Sequence, residues 1–169
     1  MAGPMNEIIV EKVTVNVGVG ESGQKLESIR TLIGTMTGAK TVATICKVRN
    51  PVWSIKLGDK IGVKSTLRKT QALEFLKKAL HAKDNRVSER SFDKKGNFSF
   101  GVPEYIDFPG VKYDAKIGII GFDVCVTLAK KGNRITKRKR AAAILGTRAR
   151  VTTEEGIEFA KSKLGIEVY

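Results

Sequence analysis

Residues 8–17 constrain the fold of this chain more than any other stretch. From Glu11 onward, Val13, Val15 and Val17 alternate with Lys12, Thr14 and Asn16. Successive side chains on a strand point to opposite faces, so this alternation predicts a strand with one buried face and one open face. A strand of that kind needs a sheet covered by helices on one side only.

The rest of the chain supplies the partners. Residues 18–23 form a glycine-rich turn. Residues 24–37 predict a helix with Leu26, Ile29, Leu32, Ile33 and Met36 in one stripe, Ser22 as its cap and Gly38 as its stop. A second strand spans residues 41–48 and is broken by Asn50-Pro51. Residues 52–57 and 61–68 alternate again and predict a hairpin around Gly58-Asp59-Lys60. Its inward faces are Trp53, Ile55 and Leu57, then Ile61, Val63 and Leu67. A second helix over residues 70–83 turns Ala72, Leu73, Leu76, Ala79 and Leu80 inward, and residues 84–97 read as loop.

Short strands follow at 98–102 and 105–108, then a long one at 117–128 with Ile120, Phe122, Val124, Val126 and Leu128 on one face. Thr152 and Glu155 have capping-box spacing and open a last helix, with Glu154 and Glu155 at its start and Lys161 and Lys163 near its end. The expected architecture is α+β. A twisted, mostly antiparallel sheet carries helices on one face, and a basic loop insertion at 130–150 precedes the C-terminal helix. One domain over residues 1–169 accounts for the whole.

Charge limits the partners. The 169 residues include 31 Lys and Arg against 17 Asp and Glu, a formal net charge of +14. Such a surplus repels itself and calls for a polyanion. A membrane is not the expected partner, because no run approaches the roughly 18 apolar residues of a spanning helix. Residues 1–6 lack the basic and apolar blocks of a secretory signal. Cys46 and Cys125 stand far apart and His81 is the sole histidine, so neither a disulfide framework nor a His/Cys metal site is expected. The thiols fit a reducing cytoplasm. No catalytic constellation stands out, and Asp123, in an apolar strand, reads as an edge or ion-paired residue.

Two surfaces suit RNA. With the strands in one sheet, the open face shows Lys12, Thr14, Asn16, Ser54, Lys56, Lys64, Thr66 and Arg68, with no acid among them. Cations give charge to phosphates, and hydroxyl and amide groups fix register. The second surface is the insertion, with Lys130, Lys131, Arg134, Lys137, Arg138, Lys139, Arg140, Arg148 and Arg150 and again no acid. Nine like charges this close should not order by themselves.

Two motifs point elsewhere. Gly18-Val19-Gly20-Glu21-Ser22-Gly23 is a literal G-x-G-x-x-G between a strand and a helix, the local setting of a dinucleotide site. No acid for a ribose follows in residues 39–48, Glu21 has the wrong sign beside a pyrophosphate, and the chain shows hairpins rather than parallel β-α-β units. No cofactor is therefore expected. Residues 95–102 echo an RNA-recognition segment, but Phe98 and Phe100 read better as core.

Several blocks resemble the universal 5S-rRNA-binding ribosomal protein family, the fifth in the large-subunit series. They are residues 13–21 (Val-Thr-Val-Asn-Val-Gly-Val-Gly-Glu), Thr37-Gly38-Ala39-Lys40, and residues 55–68 with Gly58, Ile61-Gly62 and Thr66-Leu67-Arg68. A fourth runs from Ser91-Phe92-Asp93 through Gly96-Asn97-Phe98, Phe100-Gly101, Glu104, Ile106 and Phe108-Pro109 to Tyr113-Asp114. The resemblance covers nearly the whole chain. It implies a non-enzymatic constituent of the large subunit of the cytoplasmic ribosome, bound to 5S rRNA in the central protuberance. It implies 5S contacts at Lys12, Asn16, Lys40, Thr44, Lys47, Thr66 and Arg68, to which the face reading adds Thr14 and Lys64. It also implies that the hairpin loop, with Lys56, Gly58, Asp59 and Lys60, reaches P-site tRNA. Arg134, Lys137, Arg138, Lys139 and Arg140 of the insertion are assigned to the same tRNA. Large-subunit rRNA, other 5S-binding ribosomal proteins and a small-subunit head protein complete the implied partners. Bacterial members lack the insertion; Ala129-Lys130-Lys131-Gly132 suits the archaeal type. A free-standing RNA-binding regulator and an oxidoreductase using Gly18 to Gly23 stay open as alternatives.

Overall fold

The computed structural model describes residues 4–115 and 117–169. The first three residues, part of the start read above for a signal, lie outside it. Five strands form one antiparallel sheet: β1 (Ile8–Gly18), β2 (Thr41–Ile45), β3 (Lys60–Leu67), β5 (Phe98–Val102) and β6 (Phe122–Lys130), in the order β2-β3-β1-β6-β5. The remaining strands, β4 (Arg86–Val87) and β7 (Glu167–Val168), pair in parallel away from that sheet. Helices α1 (Gln24–Thr37) and α2 (Lys69–His81) cover one face, and α3 (Thr153–Leu164) follows the insertion. The α+β expectation and the one-sided sheet both hold.

β1 is the central strand. It pairs with β3 from Val13↔Leu67 to Gly18↔Gly62 and with β6 from Ile8↔Lys130 to Asn16↔Asp123. Val13, Val15 and Val17 are buried against Leu26, Ile29 and Ile33 of α1 and Leu76 and Ala79 of α2 in one core. A bulge between Val10 and Lys12 lets the partly buried Val10 pack on that core while Lys12 turns to the open face.

The strand pattern misleads at residues 52–57. They form no strand; Trp53 and Leu57 are exposed, and the loop of residues 46–59 joins β2 to β3. The alternation there has no neighbouring strand to satisfy it. β2 accordingly ends at Ile45 rather than residue 48, and the hairpin is β2–β3. Residues 105–108 also differ. Tyr105 and Phe108 are both buried while Ile106 and Asp107 are exposed, a spacing of three that suits the observed 3₁₀ turn and not a strand.

β6 begins at Phe122, because Gly118 has φ 73° and a Cβ on Gly121 would meet the Pro103 carbonyl oxygen at 2.8 Å. On α2, Phe75 takes the inward place assigned to Leu73, which is exposed. Gly38 ends α1 in the left-handed conformation as expected. Gly23, however, occupies the N-cap with no side-chain hydrogen bond, so Ser22 is not the cap.

α3 is fixed at its first turn. Thr152 accepts from the Glu155 amide and Glu155 accepts from the Thr152 amide, the full capping box. Gly156 on α3 touches Gly96 backbone to backbone: a Cβ on Gly156 would stand 2.6 Å from the Gly96 carbonyl oxygen. Gly96 belongs to a turn that Asp93 organises by accepting from the Lys95 and Asn97 amides at 2.8 Å and from the Asn97 side chain at 2.9 Å. Asn97 in turn accepts from the Leu128 amide on β6. The Asp93 to Phe98 block is thus a structural joint between sheet and helix.

Gly156→Ala would stabilise an exposed helix by about 1 kcal/mol. Here overpacking reverses the sign, and urea unfolding should give a loss of about 1–3 kcal/mol; a gain would mean that the Gly96 turn yields. Glu155 provides a pH test. A hydrogen bond from Lys130, at 2.7 Å, first holds its carboxyl below the ordinary value, and the Thr152 amide adds to this. A depressed carboxyl stabilises the fold above its ordinary pKa and loses that contribution as pH falls. The deficit of Glu155→Gln should therefore be full above pH 4.5 and close below it. A deficit independent of pH would show that the charge contributes nothing.

Candidate nucleic-acid interface

The open face is read from the register. Lys12, Thr14 and Asn16 of β1 stand opposite Thr127, Cys125 and Asp123 of β6. On the other side Thr14 faces Thr66 and Asn16 faces Lys64. Beyond these, Val42 of β2 faces Lys64 and Thr44 faces Gly62. Gly62 leaves room that the Thr44 side chain uses, since a Cβ there would meet Thr44 Oγ1 at 2.7 Å. Lys64, Thr66, Thr14, Asn16, Thr44 and Lys12 therefore form a patch of ammonium, hydroxyl and amide groups across β2, β3 and β1. Lys40 and Lys47 flank β2 and are exposed.

Three expectations change. Ser54 and Lys56 are not on the sheet, since their segment is loop. The face is not free of acid, because the exposed Asp123 sits on it, beside Asn16 and over Gly101. Arg68 follows β3 rather than lying within it, and its guanidinium is 3.7 Å from Glu11 Oε1. The open face thus has two halves. Lysines dominate the β2-β3-β1 half. The β6-β5 half carries Asp123, Cys125 and Ser99, and the Cys125 thiol is pushed up in pKa by burial and then by Asp123.

The insertion is anchored, contrary to the expectation that nine like charges would not order. Its counter-charges come from outside the segment. Lys130 ends β6 at 8% exposure and pairs with Glu155, so it is a buried structural cation. Lys131 pairs with Glu7, whose carboxyl is lowered in pKa by that hydrogen bond and charge. Lys137 pairs with Glu11, which also accepts from the Asn133 side-chain amide at 3.1 Å. Glu11 is the bulged residue of β1 and joins the insertion to Arg68. The partners of Glu11 lie far along the chain, so the sequence does not reveal this role; the bulge itself shows only as the odd spacing of Val10 and Val13 on the core face.

Short 3₁₀ turns at Asn133–Thr136 and Thr147–Ala149 shape the segment between. Arg138 and Arg150 donate to the Ala141 and Leu145 carbonyls. Among the described residues, Arg134, Lys139, Arg140 and Arg148 have no side-chain partner and present their charge outward. Of the four loop residues assigned to tRNA, Lys56, Gly58 and Lys60 are exposed. Asp59 is turned inward, its carboxylate accepting from the Lys56 amide at 2.8 Å.

The glycine-rich turn is occupied by its own fold. The Val19 and Gly20 amides both donate to the Ile61 carbonyl at 2.9 Å, and the five-stranded sheet is antiparallel throughout, which overturns the dinucleotide alternative. Phe98 and Phe100 are buried and stacked, as core residues.

Residues 3–56 match the family described as Ribosomal protein L5, and residues 60–159 match the C-terminal part of the same ribosomal family. The chain is 48% identical over 165 residues to the large ribosomal subunit protein uL5 of Pyrobaculum aerophilum, covering 98% of this chain and 92% of that protein. The protein of the same name from Nanoarchaeum equitans is 45% identical over 169 residues, covering 99% of each. That from Sulfolobus acidocaldarius is 44% identical over 164 residues, covering 97% and 92%. The two matched segments meet in the β2–β3 loop, yet their strands share one sheet.

Glu11→Gln removes the carboxylate that holds both Lys137 and Arg68. Trypsin cleavage within residues 134–140 should speed by about two- to five-fold, the scale of a partly exposed ion pair, with little change in global stability. Unchanged cleavage would mean that the turn hydrogen bonds alone hold the segment.

Proposed function

The chain belongs to the L5 family of ribosomal proteins, and from that premise we propose that it anchors 5S rRNA in the central protuberance through the β2-β3-β1 half of its open sheet face. Membership makes it a structural component of the large subunit, not an enzyme, with rRNA and ribosomal proteins as its partners. The finer reading concerns which surface meets which RNA.

The observation that carries it is the patch of Lys64, Thr66, Thr14, Asn16 and Thr44 on three adjacent strands. Two exposed or half-exposed lysines, Lys64 within the patch and Lys12 at its edge, supply charge. The hydroxyl and amide groups beside them can donate to phosphate and ribose oxygens and so fix register. Sheet geometry holds these groups in place before binding, which lowers the ordering cost of association. Lys40, Lys47 and Arg68 extend the same basic rim. Asp123 disfavours phosphate on the β6-β5 half, so the RNA path keeps to the other side.

The loop with Lys56, Gly58, Asp59 and Lys60 lies beyond the Gly18 end of β1, and Arg134, Lys137, Arg138, Lys139 and Arg140 lie at its Ile8 end, so they are two separate basic surfaces. We assign both to P-site tRNA. A small-subunit head protein, large-subunit rRNA and other 5S-binding ribosomal proteins complete the proposed partners. Because β1 and β2 come from one matched segment and β3, β5 and β6 from the other, residues 1–169 are best treated as a single RNA-binding domain.

The test is filter binding of isolated 5S rRNA across a salt series. Lys64→Glu with Arg68→Glu should weaken binding more than about ten-fold and lower the salt slope by about 1.5, as expected for two lost phosphate contacts. Deleting residues 133–149 should cost far less. Equal losses from the two changes would refute the division of labour.

A further inference from the structure

We propose that Trp53 is a stacking platform for an unpaired or end-exposed base of RNA, held out by a preformed loop whose cations grip the neighbouring phosphates. The inference rests on the reading that this loop meets tRNA, and it names the group that makes the contact.

The loop is rigidly built. At its base the Cys46 amide donates to the Asp59 carbonyl at 2.8 Å and the Gly58 amide to the Cys46 carbonyl at 3.0 Å. Nearer the tip, Asn50 and Ile55 exchange both backbone hydrogen bonds, at 3.0 and 3.1 Å. Across the apex, the Ser54 amide donates to the Pro51 carbonyl at 3.1 Å, and Asn50 Oδ1 accepts from the Val52 amide at 3.1 Å. Ser54 is held at φ 55°, a left-handed conformation that is costly for serine. All of this order ends in an indole that is 71% exposed. Among the described residues Trp53 stacks on no other ring.

A bare indole on a rigid apex needs an external partner, and Val48, Val52 and Leu57 beside it are as exposed. Charge says which kind. Arg49 and Lys56 flank the apex, Lys47 and Lys60 stand at the base of the loop, and the one acid of the segment, Asp59, is turned into the loop. The partner is therefore anionic and offers a flat apolar surface. A nucleobase between phosphates has both properties, and a purely apolar protein surface has only one. Stacking is also indifferent to base identity, because every base has a π-face. That suits a surface that must accept tRNAs of many sequences.

Trp53 is the sole tryptophan of the chain, so its emission reports on the apex alone. Full-length protein would be titrated with deacylated tRNA. Ribosomes carrying wild-type, Trp53→Phe, Trp53→Ala or Lys56→Glu/Lys60→Glu protein would be assayed for P-site tRNA affinity. We expect tRNA to quench the emission, Trp53→Ala to lose about ten-fold in affinity with an unchanged salt slope, and Trp53→Phe to retain most of it. The double glutamate variant should lower the salt slope.

If tRNA binds with unaltered emission and Trp53→Ala equals wild type, the stacking inference fails while the tRNA assignment stands. If no loop variant changes tRNA affinity and free protein binds no tRNA, the assignment itself fails. An emission change on adding small subunits free of tRNA would show that a partner other than tRNA covers Trp53 and would overturn the proposal.

Discussion

The double pairing of β1 is the constraint on which the rest of the molecule depends. From Val13 to Asn16 each residue is paired with β3 on one side and β6 on the other. Three valines seal the core on one face while Thr14 and Asn16 occupy the other. A slip of one residue would exchange the two sets, burying polar groups and exposing valines. The register is thus specified by the cost of the wrong face, and the same cost fixes the open patch. Lys64 is beside Asn16, and Thr66 beside Thr14, because Val63 and Leu67 must face inward.

Electrostatics sets the second layer. A net charge of +14 works against compactness, and the chain places its acids where repulsion would be worst. Glu7, Glu11 and Glu155 each take one lysine of the insertion. Glu7 and Glu11 lie at the start of the chain and Glu155 on the last helix, outside the insertion, so their pairing depends on the fold being formed. What is left over, at Arg134, Lys139, Arg140 and Arg148, is charge without a local partner on a segment already held near the sheet. In the proposed RNA contacts these unpaired cations contribute fully, whereas Lys137 and Arg68 first give up Glu11.

Much of this is legible in the sequence. The alternation of β1, the span of α1 with its Gly38 stop, the run of β5 and the Thr152–Glu155 capping box are all local patterns with local causes. The misleading patterns share a cause as well: each depends on something distant. Residues 105–108 mimic a strand because Tyr105 and Phe108 are placed by the core they enter. Lys130 reads as an RNA contact because Glu155, its partner, lies 25 residues on. Asp123 escapes notice on the open face until the neighbours of its strand are known. The bulge at Glu11 leaves one small mark, the odd spacing of Val10 and Val13 on the core face, and the partners of Glu11 are set by the fold.

Residues 52–57 are the most instructive case. Trp53, Ile55 and Leu57 alternate with polar residues as a half-buried strand does, yet Trp53 and Leu57 are exposed. Alternation records that one side of a segment seeks an apolar neighbour; it does not say whether that neighbour is the protein's own core. Where the structure supplies an ordered backbone and no covering layer, the same pattern marks a surface waiting for a partner. The two regions proposed to meet RNA then differ in kind. The sheet face offers charge and hydrogen bonds on a flat, fixed array, which favours one permanent RNA. The loop adds an apolar, base-tolerant contact on a narrow apex, which favours a partner that arrives, is held and leaves.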